Sequence, residues 1–263
     1  MNIGGVILAA VVIGITGLVV SLLLGVAGVK FAVEVDERVT QVRDLLPSNN
    51  CGGCGYAGCD AMAEAIVAGT TPASACPSLP AANREKIAAI IGGSAEAAEK
   101  RVAFVKCNGT CDKTTQRYNY YGIDDCKKLA LIPGGGPKGC TYGCMGLGSC
   151  VKACKFDAIH IVNGIAVVDK EKCIACGQCV AQCPKGLIEL IPYTANHMVK
   201  CNSKDKGKDV KAVCETGCIG CGICAKQCEA GAVTVENNLA HIDPTKCTGC
   251  GKCAAKCPAK IIM

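Results

Sequence analysis

"CIACGQCVAQCPKG", residues 173–186, places four cysteines in eleven positions and sets a proline directly after the last. Nearly the same run returns at residues 247–258 as "CTGCGKCAAKCP". Sulfurs spaced C-x2-C-x2-C-x3-C are badly placed to bridge one another and well placed to wrap one inorganic core. The chain carries 25 cysteines in 263 residues. A disulfide scaffold of that cysteine density is normally far shorter, and an odd count forbids full pairing within one chain. The thiols therefore read as metal ligands held in a reducing compartment.

Composition agrees. Aromatic residues make up 3% of the chain and tryptophan is absent, so the cores are expected to be small, local and built around cofactors. The formal charge of +6 counts every cysteine as neutral. Four thiolates around an oxidised 4Fe–4S core carry roughly −2, so five or six such groups would turn the net charge to about −4 to −6. The basic balance is thus no sign of nucleic-acid binding.

From residue 101 onward the chain repeats itself. A shift of 74 residues carries Cys144, Cys150 and Cys154 onto Cys218, Cys224 and Cys228, and Cys173, Cys176, Cys179 and Cys183 onto Cys247, Cys250, Cys253 and Cys257. Between the cysteine runs of each copy lies a hairpin pattern, "IHIVNGIAVVD" with Asn163-Gly164 at its turn and "VTVENNLAHID" with Asn237-Asn238. In a dicluster unit the first three cysteines of a run hold one cluster and the fourth crosses to the other. That rule groups Cys173, Cys176 and Cys179 with Cys154. It groups Cys218, Cys221 and Cys224 with Cys257, and Cys247, Cys250 and Cys253 with Cys228. Lys155 and Glu229 stand where the other two runs have Pro184 and Pro258.

The first run is irregular. Leu147 in "CTYGCMGLGSC" occupies the place of Cys221, and leucine cannot ligate iron. Cys140, Cys144 and Cys150 with Cys183 would make four ligands, yet Cys140 aligns with Cys214, a spare in the second copy. Cys107, Cys111, Cys126, Cys201 and Cys214 are left over. A sixth cluster held by Cys107, Cys111, Cys126 and one of Cys201, Cys214 or Cys140 is expected, against the alternative of reduced buried thiols. "VKCN" occurs at both Cys107 and Cys201, each after an expected strand, so these two are expected side by side.

Upstream, Cys51, Cys54, Cys59 and Cys76 are spaced C-x2-C-x4-C-x16-C, with glycines between them and a short helix expected over "DAMAEAIVAG". A 4Fe–4S cluster is the preferred occupant and zinc the alternative. A helix-like linker is expected over roughly 81–99 and a strand over "RVAFVKC".

Residues 1–29 contain no charged side chain, which is long enough to cross about 30 Å of hydrocarbon. There is no basic leader and no clear cleavage site, so a retained single-pass anchor is expected rather than a signal peptide. Lys30, Arg38 and Arg43 follow it, which by the positive-inside bias puts the rest of the chain in the cytoplasm. Gly17, Ser21 and Gly25 form a small-residue face on which another membrane helix could pack.

No G-x-G-x-x-G follows a strand and no P-loop occurs; "PGGGP" at 133–137 is a turn. His160, His197 and His241 do not recur between the copies and read as ordinary histidines, while Met198 and the Tyr118, Tyr120, Tyr121 group read as packing. No catalytic residue is expected on this chain.

The anchor, "CGGCGYAGCDAMAEAI", "VKCNGTC", "GCTYGCMGLGSCVKACKFDAIHI" and the doubled cysteine unit together resemble the B subunits of the Rnf complex, the ion-pumping ferredoxin:NAD+ oxidoreductases of bacterial membranes. The resemblance covers essentially the whole chain. The runs and hairpins are expected to form an α+β architecture with a single N-terminal transmembrane helix (1–29), a small 4Fe–4S domain with its linker (30–100), an additional cysteine-bearing segment (101–139), and two bacterial-type dicluster ferredoxin-like units with β-hairpins (140–192 and 214–263) joined by 193–213. Five 4Fe–4S clusters are expected, with a sixth beside them. The resemblance implies that electrons would come from soluble ferredoxin and pass to flavin-bearing membrane subunits, with NAD+ reduced elsewhere and Na+ or H+ exported across the cytoplasmic membrane. Alternatives are a relay subunit of another membrane-anchored reductase, a soluble polyferredoxin and a zinc-binding interaction protein. Lys152, Lys155, Lys185, Lys252, Lys256 and Lys260 lie near the runs, where they could steer an acidic ferredoxin or simply be solvated.

Overall fold

The computed structural model describes residues 3–31, 36–93 and 99–263. Helix α1 spans Ile3–Lys30, 28 residues without an acidic or basic side chain before its last turn, about 42 Å at 1.5 Å per residue. Its stretch Val11–Lys30 is long and apolar enough to cross a membrane, and Leu18, Leu22, Leu23 and Leu24 all face outward. Thr16 hides its hydroxyl against the carbonyls of Val12 and Ile13, both at 3.0 Å. Part of the charged connector, 32–35, and part of the expected linker helix, 94–98, lie outside the described residues.

Three helices make the next body: α2 (Glu37–Leu45), α3 (Cys59–Val67) and α4 (Ala81–Ile91). They bury Val42, Met62, Ile66 and Ile87 against one another, and Asn83 ties α4 to α2 by donating to the Leu45 carbonyl at 2.7 Å. Helix α4 stops earlier than the pattern over 81–99 suggests, because Gly92 turns the chain left-handed at φ +71°.

Strand β1 (Arg101–Val105) has no partner within its own segment. It pairs antiparallel with β4 (Ile188–Pro192), Ala103 opposite Leu190 and Val105 opposite Ile188, across about 80 residues of intervening sequence. That pairing buries Val102, Phe104 and Ile191 in one core with the hairpin β2 (Ile159–Val162) and β3 (Ile165–Val168). The 101–139 segment is therefore packed into the first unit. The second hairpin is β5 (Val233–Glu236) and β6 (Leu239–Ile242). Both turns are left-handed, Asn163 and Gly164 at φ +46° and +75°, Asn237 and Asn238 at +49° and +62°. A bridge from Val199 to Ile262 closes the second core, with Met198 buried beside it. Tyr121 departs from the packing expectation, being 91% exposed, while Tyr120 packs against Leu129 and Met145.

Four short helices recur at equivalent places: α6 (Ser149–Lys152), α7 (Gln178–Gln182), α9 (Ile223–Lys226) and α10 (Lys252–Ala255). Each is entered through a glycine at φ between +70° and +76° (Gly148, Gly177, Gly222 and Gly251), a turn that L-residues resist. Each buries a cysteine in its first turn: Cys150, Cys179, Cys224 and Cys253.

The small helical body docks on the first unit through two cysteine loops. Gln178 donates to the Cys51 carbonyl at 2.9 Å, and a Cβ on Gly53 would lie 3.0 Å from the Cys176 Cα and 3.1 Å from its carbonyl oxygen. Because those neighbours are backbone, they cannot rotate away. Replacing Gly53 with valine should part the loops, seen as faster amide hydrogen exchange in both 51–58 and 174–178. Gln178→Ala, which costs one hydrogen bond of about 0.5–1.5 kcal/mol, should do so more weakly. Unchanged exchange in both variants would show that the contact does not hold the bodies together.

Candidate functional site

Four sets of four cysteines each line a cavity, and two further sets lie around Cys76 and Cys253, with Cys111 outside them all. The first group is Cys51, Cys54, Cys59 and Cys76, covered by α3. The Cys59 amide is fixed by Asn50 Oδ1 at 2.8 Å, and the Cys76 thiol, raised chiefly by burial, also feels the Cys54 and Cys51 thiols. The second, Cys154, Cys173, Cys176 and Cys179, lines a small cavity. The fifth, Cys218, Cys221, Cys224 and Cys257, lines another. In the sixth, Cys253 is raised chiefly by burial and lies beside Cys247 and Cys228, with Cys250 exposed in the same loop. These four groups have the membership that the spacing implies.

The two remaining groups do not. One small cavity is lined by Cys126, Cys144, Cys150 and Cys183. Cys126 thus takes the place next to Cys144 and Cys150 that the sequence reading gives to Cys140. It is delivered by a further short helix, α5 (Cys126–Leu129), whose Cys126 amide donates to Ser149 Oγ at 2.7 Å. Leu147 packs instead against Leu129 and Met145. The fourth cavity is lined by Cys107, Cys140, Cys201 and Cys214. Cys107 and Cys126 are therefore in separate groups, and Cys111 is in neither; it is exposed, its amide donating to the Asn163 carbonyl at 3.0 Å.

The fourth group sits where the two copies meet, and each copy contributes the same pair. Cys107 and Cys201 come from the two "VKCN" stretches, and Cys140 and Cys214 are related by the 74-residue shift. The symmetry extends to the hydrogen bonds: Cys107 Sγ accepts from the Cys144 amide at 3.3 Å, and Cys201 Sγ accepts from the Cys218 amide at 3.2 Å. Cys144 belongs to the third group and Cys218 to the fifth, so the fourth touches both neighbours through backbone donors. The signal for this group was available in the sequence, in the two "VKCN" copies and the Cys140–Cys214 alignment taken together.

A metal–sulfur core fits these groups on three grounds. In four of them the thiols line a void, which is what a core of several irons needs. Backbone amides of Ala103, Leu187 and Ala240 also point at Cys173, Cys183 and Cys218 sulfurs at 3.3, 3.4 and 3.5 Å, the donors that stabilise thiolate ligands. Finally, bare thiols resist ionising here. Burial, then the neighbours Cys144, Cys126 and Cys183, pushes Cys150 up to about 12. Burial likewise raises Cys179 and Cys201 to about 11 each. Ligation must therefore displace protons and supply positive charge.

The lysines near the sites differ in setting. Lys185 donates to the Gly135 and Thr141 carbonyls, Lys152 to the Asp124 carbonyl, and Lys252 pairs with Glu229 at 2.5 Å. Lys200 is half-buried, its ammonium pushed down by that burial and by Lys170. His160 is exposed near Asp157, and His197 lies over Gly251.

Three family models match the chain: an Fe-S cluster model over residues 46–78, a 4Fe-4S binding domain over 166–189 and a 4Fe-4S dicluster domain over 217–261. Among curated proteins, the chain is 48% identical over 236 residues to the B subunit of the Na(+)-translocating ferredoxin:NAD(+) oxidoreductase complex of Acetobacterium woodii, covering 89% of this chain and 71% of that protein. It is 45% identical over 240 residues to the proton-translocating counterpart of Clostridium ljungdahlii, covering 90% and 84%. It is 46% identical over 247 residues to the B subunit of the ion-translocating oxidoreductase complex of Methanosarcina acetivorans, covering 94% and 93%.

The raised thiols give a pH prediction for the cluster-free chain. Their folded values lie above the ordinary 9.0, so the stability they confer is full below pH 9 and is lost as pH rises through about 11 to 12. Denaturant midpoints of the apoprotein should therefore fall between pH 8 and pH 11. A midpoint that rises over that interval would show that the thiols are not held in a poorly solvated interior.

Proposed function

Because the chain belongs to the family of B subunits of Rnf-type ion-translocating ferredoxin:NAD+ oxidoreductases, we propose that it is the membrane-anchored electron relay of such a complex. In this reading α1 spans the cytoplasmic membrane once, with the cysteine-bearing bodies on the cytoplasmic side. The chain takes electrons from soluble reduced ferredoxin and delivers them to flavin-bearing membrane subunits. NAD+ is reduced elsewhere in the complex, and the current drives export of Na+ or H+.

Each of the six groups is a 4Fe–4S site, and a 4Fe–4S core supplies one-electron storage and release. The ligand sets are those of the six cysteine groups, with Cys111 left unligated. The chain's own residues put the sites in a row. Gln178 and Gly53 hold the Cys51 loop of the first against the Cys176 loop of the second. Cys179 of the second is among the thiols that raise Cys150 of the third. The Cys144 and Cys218 amides tie the third and fifth to the fourth. Cys224 of the fifth and Cys253 of the sixth are buried in one core with the second hairpin. The observation that carries the reading is the fourth group, because it closes the gap between two units that would otherwise be separate wires.

Iron and inorganic sulfide counted anaerobically on the purified chain should come to about 24 of each, six sites of four. Cys126→Ala and Cys140→Ala should each lower the count by about four, and Cys111→Ala should leave it unchanged. Reduced ferredoxin should reduce the centres of the isolated chain, whereas NADH should form only with the remaining subunits present. A count of about 20 in the unaltered chain, or loss of iron on replacing Cys111, would overturn the ligand sets. Failure of reduced ferredoxin to reduce any centre would overturn the relay.

A further inference from the structure

The four sites whose cysteines line a cavity differ in the charge built around them. No Asp, Glu, Lys or Arg lines the cavities of the second and fifth groups, and Lys185 alone lines that of the third. The fourth cavity is lined by three lysines, Lys106, Lys138 and Lys200, and by no carboxylate. Lys106 is matched by Glu189 at 3.2 Å. Lys138 and Lys200 form no ion pair among the described residues.

Lys138 is the stronger case. At 7% exposure it is the one charged side chain buried among the described residues. Its ammonium donates to the Gly109 and Gly164 carbonyls, both at 2.8 Å, which uses two of three N–H groups. Two neutral carbonyls solvate an ammonium incompletely, and a buried charge without a counter-charge is strongly disfavoured. A dianionic core in the fourth cavity, which Lys138 lines, supplies that counter-charge; Lys138 also lies close enough to Cys144 of the third group to favour its thiolate. A fixed cation beside such a core stabilises its reduced form more than its oxidised form, since reduction adds a further negative charge.

We propose that Lys138 and Lys200 make the fourth site, where the two units meet, the most readily reduced of the six, so that an electron entering from either unit comes to rest at the junction. This inference rests on the reading of Cys107, Cys140, Cys201 and Cys214 as one cluster site. It assigns Lys138 and Lys200 as tuning residues that act through charge and do not ligate iron.

The test is stepwise anaerobic reduction of the full chain with dithionite, followed by EPR. The first paramagnetic signal to appear should be absent from Cys107→Ala, which identifies it with the fourth site. In Lys138→Gln the same signal should require a lower potential. At fixed poise the reduced-to-oxidised ratio should fall about tenfold, equivalent to about 59 mV for one electron. Lys200→Gln, at a less buried position, should move it the same way by less, and it decides the matter should Lys138→Gln lose iron. With about 24 irons in the unaltered chain, a first signal that survives Cys107→Ala overturns the proposal. So does a first signal that stays in place in the lysine variants. An iron count of about 20 in the unaltered chain would instead remove the fourth site itself, a distinct result.

Discussion

Ionised cysteines crowded into a poorly solvated interior repel one another, and the chain is arranged around that repulsion. Burial and neighbouring thiols push Cys150 up to about 12, with Cys179 and Cys201 close behind. A side-chain constellation of this kind is stable only with its protons on or with a cationic core in its midst. The same enclosure that makes the bare thiols reluctant acids keeps water from the sulfurs once they are ligands. Folding and cofactor retention are therefore one problem in this molecule, as in other small metal-centred domains.

The architecture follows from repeating one solution. A left-handed glycine, a single helical turn and a buried cysteine recur at Gly148, Gly177, Gly222 and Gly251. Duplicating the unit also duplicated its flanks, the "VKCN" stretches and the positions of Cys140 and Cys214. Neither flank alone has enough sulfur for a core. Brought face to face they make the proposed fourth site, which exists because two copies touch. A chain with one unit would lack it. The unpaired lysines at that junction fit the same logic, because the interface between copies is where charge from both flanks accumulates.

Much of this was legible from spacing. The C-x2-C-x2-C-x3-C rule grouped cysteines that the structure also brings together in the second and fifth groups, and Asn163-Gly164 and Asn237-Asn238 marked both hairpins. The long apolar start was plain as a helix able to span a membrane. Spacing failed where ligands come from far away in the chain. Cys126 reaches the third group because α5 docks on Ser149, and no sequence interval encodes that docking. Strand β1 looks like a solitary element until β4 pairs with it, which is what carries Cys107 to the junction. Three cysteines within twenty residues, Cys107, Cys111 and Cys126, looked like one site and turn out to point three ways. Nearness in sequence is a poor guide once a core is assembled from two copies.

If a site at their seam joins the two ferredoxin-like units into one conductor, that site must hold iron. Anomalous scattering at the iron edge, from crystals of the full chain grown without oxygen, should then show six iron positions in a continuous row, the fourth lying among Cys107, Cys140, Cys201 and Cys214. Five positions, with an iron-free gap between the two units, would show that no such site exists.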